Sequence, residues 1–154
     1  MGKSAGILLF KKSEGILEVF LVHPGGPFWK AKDFGSWSIP KGEFTVDEEA
    51  LPSAIREFKE ETGSPIWGEF IELSPVKLKS GKWIYAWAVE GDIEASKIVS
   101  NTFLLEWPPR SGKQISVPEV DKGDWFTPDE ARIKINSAQA ALIDQLEKIV
   151  DQKT

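Results

Sequence analysis

Residues 42–63 read GEFTVDEEALPSAIREFKEETG. The pattern from Ala50 to Thr62 predicts a helix over roughly 50–62, with Pro52 in its first turn and Gly63 as the stop just past its end. On that helix Glu57, Glu60 and Glu61 stand at i, i+3 and i+4, which puts three like charges on one face. Asp47, Glu48 and Glu49 are accounted for as charges at the N-terminal end, where the helix dipole favours anions. The other three lie toward the C-terminal half, where the dipole disfavours them, and Lys59, the cation read as nearest, is turned to another part of the helix surface. A divalent cation resolves that conflict. Hard ions such as Mg²⁺ take oxygen ligands, commonly a few carboxylates completed by substrate phosphates, and the spacing fits a half-open site of that kind.

Composition narrows the alternatives. The 154 residues, 41% hydrophobic and 28% charged, suit one domain over 1–154 with a packed core. A net charge of -5 gives no general attraction to nucleic acid or anionic membrane, so a phosphate-bearing ligand needs local cations or a metal. The absence of Cys removes disulfides, thiolate zinc sites and a cysteine nucleophile, and the single histidine, His23, leaves little basis for a Ser-His-Asp triad or a two-His metal site. The opening MGKSAGILLFKK has too short an apolar run for a spanning helix and no signal-peptide plan, so a cytoplasmic location is expected.

Residues 4–12 and 16–23 are β-rich runs separated by Ser13, Glu14 and Gly15, a hairpin. Residues 24–36, PGGPFWKAKDFGS, form a long loop, and WSIP at 37–40 reads as a short strand. After the helix, IWGEFIEL, KWIYAWAVEG and TFLLEW read as strands, PPRSGKQISVP as an irregular loop, and DWF as a short strand before the segment starting PDEA. Ala138, Leu142, Leu146 and Ile149 predict a terminal amphipathic helix with Ser137 as its N-cap. Five or more strands with an internal and a terminal helix imply an α/β (α+β) fold, a mixed sheet covered on both faces.

The segment 42–63 resembles the signature of the Nudix hydrolases at Gly42, Glu48, Arg56, Glu57, Phe58, Glu60, Glu61 and Gly63, and departs from it at Ser64, where an apolar residue is usual. The resemblance implies the Nudix α/β/α sandwich. It implies that Glu57, Glu60 and Glu61 hold Mg²⁺ or Mn²⁺ with help from the Lys41 carbonyl, and that Glu48 and Arg56 pair to orient helix and loop. The implied reaction is attack of water on a diphosphate linkage of a nucleotide, with metal neutralising the phosphate oxygens. The general base is a box glutamate or Glu119, in VPEVDKGDWF, where many relatives place an acid.

The stretch WSIPKGE is similar to that of diadenosine tetraphosphate hydrolases and diphosphoinositol polyphosphate phosphohydrolases, which implies that Lys41 lies near a long polyphosphate. The chain also resembles, nearly end to end, a bacterial group of predicted NTP pyrophosphohydrolases. Nucleoside triphosphates or dinucleoside tetraphosphates are therefore the expected small-molecule substrates. The alternatives are nucleoside diphosphate sugars or ADP-ribose, and a binding module that does not cleave. Trp29, Trp83 and Arg110 are further substrate-binding candidates, for base stacking or a phosphate lip. Trp37, Trp87 and Trp125 are assigned to the core, and His23 is read as a hydrogen-bonded edge residue. A monomer or homodimer is expected.

Overall fold

The run SAGILLF lacks polar alternation, which a strand tolerates when both of its faces are covered. In the computed structural model, which describes residues 2–152, that run belongs to β1 (Lys3–Ser13) at the middle of the sheet. Its Ala5, Ile7 and Leu9 enter one core, and its Leu8 and Phe10 enter another. β1 turns into β2 (Ile16–Pro24) through Glu14 and Gly15, both at positive φ (53° and 82°), the two-residue turn whose twist suits a hairpin.

The chain continues through β3 (Lys41–Phe44), helix α1 (Ala50–Thr62), two short strands β4 (Ile71–Glu72) and β5 (Val76–Lys77), and β6 (Trp83–Glu90). It then forms β7 (Thr102–Glu106), β8 (Gln114–Pro118), β9 (Val120–Phe126), α2 (Pro128–Lys134) and α3 (Ala140–Gln152). Among the described residues the main sheet has seven strands, ordered β4-β6-β1-β2-β9, with β3 on β1 and β5 on β6. β6 runs parallel to β1 and the remaining pairings are antiparallel, so the sheet is mixed, as expected. α1 covers one face with Ala54 and Phe58, and α2 and α3 cover the other with Ala131, Leu142, Ile143 and Leu146. This is the expected α/β/α sandwich.

One irregularity makes room for a site. β3 pairs with Lys3–Gly6 of β1 and β2 pairs with Phe10–Ser13, so the two partners part company between them. In that gap the Ile7 N–H donates to the Pro40 carbonyl at 3.1 Å, and Val22 and Ser38 exchange backbone hydrogen bonds at 2.8 and 3.0 Å. The sheet is forked there.

Several expected elements are displaced. The strand expected at 37–40 gives way to β3 at Lys41–Phe44, because Trp37 and Ser38 make only isolated bridges and Pro40 has no N–H to offer a ladder. IWGEFIEL shrinks to Ile71–Glu72, since Gly68 at φ 137° breaks any longer run. Within the expected loop 108–118, Gln114–Pro118 is β8, paired to β7 as a separate hairpin, and the prolines and Gly112 occupy only its turn. Ser137 does not cap the terminal helix: the Asn136 carboxamide accepts from the Ala138 N–H and starts a 3₁₀ turn, after which α3 begins at Ala140. His23 lies on β2 between β1 and β9, hydrogen-bonded as expected but buried rather than at an edge.

Candidate active site

The rotation of α1 sorts its acids by depth. Ala54, Phe58, Glu61 and Thr62 share the inward face, so Glu61 is carried into the protein and is 8% exposed. The Glu57 side chain is nearly as covered and Glu60 is about half open, at 12% and 40% exposure. Gly42 on β3 lies against Glu57 so closely that a Cβ at residue 42 would overlap its carboxyl group. Glycine at that box position is what lets the strand meet the carboxylate. Gly63 ends α1 at φ 78° with its N–H donating to the Lys59 carbonyl at 2.7 Å, so the box closes where the sequence places its stop.

Glu119 arrives from the other side, between β8 and β9. Its N–H donates to the Asn101 carbonyl and its carbonyl accepts from the Gly25 N–H, both at 2.9 Å. A Cβ on Gly25 would overlap the Pro118 carbonyl, so that contact requires glycine. One carboxylate oxygen from each of Glu57, Glu61 and Glu119 lies within 4.8 Å of the others. Glu60 stands outside this trio. Arg56 binds Glu48 (Nη1 to Oε2, 2.6 Å), donates to Glu57 at 3.3 Å and approaches Glu60 at 3.7 Å. The cation that meets Glu57 and Glu60 is therefore Arg56 rather than Lys59, and the one acting on Glu61 is Lys41.

The electrostatics follow from that convergence. Burial pushes the Glu61 carboxyl up to about 8, and the charge of Glu119 adds to the shift. Burial likewise raises Glu57 and Glu119, with the charge of Glu60 adding to both. Burial lowers the Lys41 ammonium, and the Lys41 backbone N–H donates to Glu61 Oε1 at 3.4 Å. Three oxygen donors that resist ionising together are what a hard divalent cation stabilises, so these residues fit Mg²⁺ or Mn²⁺. Val22, Ile39 and Val120 form an apolar wall, and with Lys41, Glu61 and Glu119 they line a cavity of about 130 Å³ at the fork. The sequence offered no signal for that wall, because it exists only where β2 and β3 separate.

The remaining candidates are scattered. Trp29 packs edge-on to Phe28 at 4.9 Å in the 24–36 loop, and Arg110 sits at φ 61° in the β7–β8 turn with its N–H donating to Glu106. Trp83 is in register with Lys3, at the end of β3 away from Lys41. Trp37 is in the core as expected, and Trp87 and Trp125 pack half-buried on its α1 side.

The sequence model of the NUDIX domain matches residues 2–146. The chain belongs to the Nudix family. That membership makes it a pyrophosphohydrolase. No curated protein matches this Nudix chain in sequence. Among solved structures, C. elegans Ap4A hydrolase in a binary complex superposes with a TM-score of 0.66 at 19% identity, over 99% of each chain. The NUDIX domain of Shewanella oneidensis NrtR, complexed with ADP ribose, gives 0.66 at 16% identity over 96% of this chain and 87% of that one. A mutT/nudix family protein from Listeria innocua gives 0.64 at 15% identity over 99% and 95%. At these identities the likeness is one of fold. No helix among the described residues is long and apolar enough to cross a membrane.

Proposed function

We propose that this Nudix protein hydrolyses a diphosphate linkage in a nucleoside triphosphate or dinucleoside tetraphosphate, with Mg²⁺ or Mn²⁺ held by Glu57, Glu61, Glu119 and the Lys41 carbonyl. The observation that carries the reading is the meeting of those three carboxylates, from α1 and from the β8–β9 junction, within 4.8 Å. The bound cation supplies Lewis-acid chemistry, neutralising phosphate oxygens and making attacking water more acidic. Glu60, outside the trio and beside it, takes the proton that the water loses as its oxygen bonds to phosphorus. The bridging oxygen leaves with the electron pair of the broken P–O bond. Arg56 holds Glu57 and Glu60 in place through its fork, and Glu48 anchors that fork.

Lys41 supports the choice of a long polyphosphate. Lys41 lines the cavity, and its charge, which acts on Glu61, is proposed to serve a phosphate next to the one attacked. Trp29 and Arg110 lie on the loop and hairpin that meet where Gly26 packs near Val117 and Leu105, and they are proposed to contact the base and outer phosphates. Trp83 is left out, because its register puts it away from Lys41. ADP-ribose is the second reading, favoured by the likeness to the NrtR domain that binds it.

The test is incubation with Mg²⁺ and a panel of dinucleoside polyphosphates, nucleoside triphosphates, ADP-ribose, nucleotide sugars and diphosphoinositols, with products separated by chromatography. Cleavage of a nucleoside polyphosphate that fails in Glu61→Gln and Glu60→Gln supports the proposal. Turnover of ADP-ribose alone transfers the assignment to the second reading, and binding without turnover of any compound replaces catalysis by sensing.

A further inference from the structure

Glu119 reaches the box carboxylates because β9 changes phase beside β2. His23 is in register with Lys122, but the next residue, Pro24, is in register with Val120, so Asp121 is an extra, bulged residue. Without the bulge, Asp121 would stand opposite Pro24, and the alternation of the strand would turn Glu119 to the opposite face.

The bulged residue is tied down by the chain's single histidine. His23 Nδ1 lies 2.8 Å from Asp121 Oδ1, and Nε2 lies 2.6 Å from the carbonyl oxygen of Lys32 in the 24–36 loop. The ring is 1% exposed and packs edge-on to Trp37 at 5.3 Å. The charged groups around it are Asp121 and Lys122 on β9, whose ammonium lies 5.6 Å from the Trp37 ring, and Asp33, which accepts from the Trp37 indole and pairs with Lys134. One ring nitrogen thus meets a carboxylate of β9 and the other a backbone carbonyl of the 24–36 loop, so the ring bridges the two segments.

We propose that His23 is a positioning residue for Glu119: its buried ring, held between Asp121 and the Lys32 carbonyl, ties the bulged residue to the 24–36 loop and so holds the register that brings Glu119 to Glu57 and Glu61. This rests on the reading of Glu119 as a member of the metal site.

Because the protein has one histidine, ring ¹⁵N–¹H spectra report on this residue alone. A ring N–H cross-peak is expected to shift or vanish in Asp121→Asn, and a ring signal unchanged by that substitution overturns the tie between His23 and the bulged residue. In His23→Gln and Asp121→Asn, Mn²⁺ affinity read by electron paramagnetic resonance falls about 10-fold, with the amide spectrum of β1, β6 and α3 unchanged. Glu119→Gln, measured beside them, separates the two readings. Affinity lost in Glu119→Gln but kept in both His23→Gln and Asp121→Asn overturns the positioning role. Affinity kept in all three and lost only in Glu61→Gln removes Glu119 from the metal site, and the role of His23 falls with it while the box site stands. Should His23→Gln fail to fold, the wild-type ring spectrum and Asp121→Asn still decide the matter.

Discussion

The two sides of the site are built in opposite ways. Glu57, Glu60 and Glu61 share one helix, and the glycine that admits Glu57 and the glutamate that anchors Arg56 lie in the same continuous segment, 42–63. Glu119 belongs to no regular element and depends on Gly25, Asn101 and a β-bulge, all distant from the box in the chain. The first side is organised by helix period and the second by sheet register. A change in the box therefore acts on the chemistry at once, whereas a change around Glu119 acts through the fold.

The largest expected effect belongs to the box. Glu61→Gln keeps the shape of the side chain and removes the charge, and should lower kcat/KM on the best substrate by roughly 10³-fold with the thermal transition preserved. Loss of activity together with loss of folding would show instead that Glu61 is a structural residue. Next comes Gly42→Ala. The added methyl displaces the Glu57 carboxylate rather than the backbone, so activity should fall by about 10²-fold, as for a misplaced catalytic group, while Mn²⁺ binding measured by calorimetry weakens. If Gly42→Ala proves as active as the parent, the close approach of β3 to Glu57 has no catalytic meaning.

The same division explains what the sequence made legible. Glu57, Glu60 and Glu61 could be placed on one face because helix spacing is a property of adjacent residues, and the β-rich runs at 4–12 and 16–23 announced the β1–β2 hairpin in the same way. The cavity wall at Val22, Ile39 and Val120 could not, since it arises where two strands of one sheet diverge, a relation between segments that no local period encodes. Gln114–Pro118 was hidden by the prolines and Gly112 before it, which describe the turn and say nothing of the strand that follows. Glu119 was named from a family pattern, and its delivery by a bulge at Asp121 is visible only in the register of β2 and β9.

The charge on Glu61 gives a third, smaller effect. Its carboxyl holds a proton up to about pH 8 in the folded protein, against 4.5 as its ordinary value. Between those limits the folded state binds more protons than the unfolded state, so metal-free stability falls as pH rises through the window. Metal-free protein should lose roughly 2 kcal/mol more than Glu61→Gln between pH 5 and pH 8, or about 5 °C in Tm. Saturating Mg²⁺ should oppose the loss, because it favours the ionised carboxylate. Parallel pH curves for the two proteins would mean that Glu61 is more hydrated than its depth in α1 implies.

The smallest effect probes how self-contained the box is. Arg56 meets Glu48 at 2.6 Å and Glu57 at 3.3 Å and lies 3.7 Å from Glu60, a set of contacts that one planar fork can make and one ammonium cannot. Arg56→Lys keeps the charge near the acids, so substrate affinity should hardly change. What is lost is the orientation of Glu57 and Glu60, and kcat should fall by a few-fold, up to about 10-fold. Because the ion pairs of Arg56 among the described residues all go to box glutamates, its substitution should leave the ring N–H spectrum of His23 unmoved, whereas Asp121→Asn should alter that spectrum. If Arg56→Lys shifts the His23 signals as well, the helix and the bulge are mechanically linked, and the separation between a locally built half and a register-built half of this site fails.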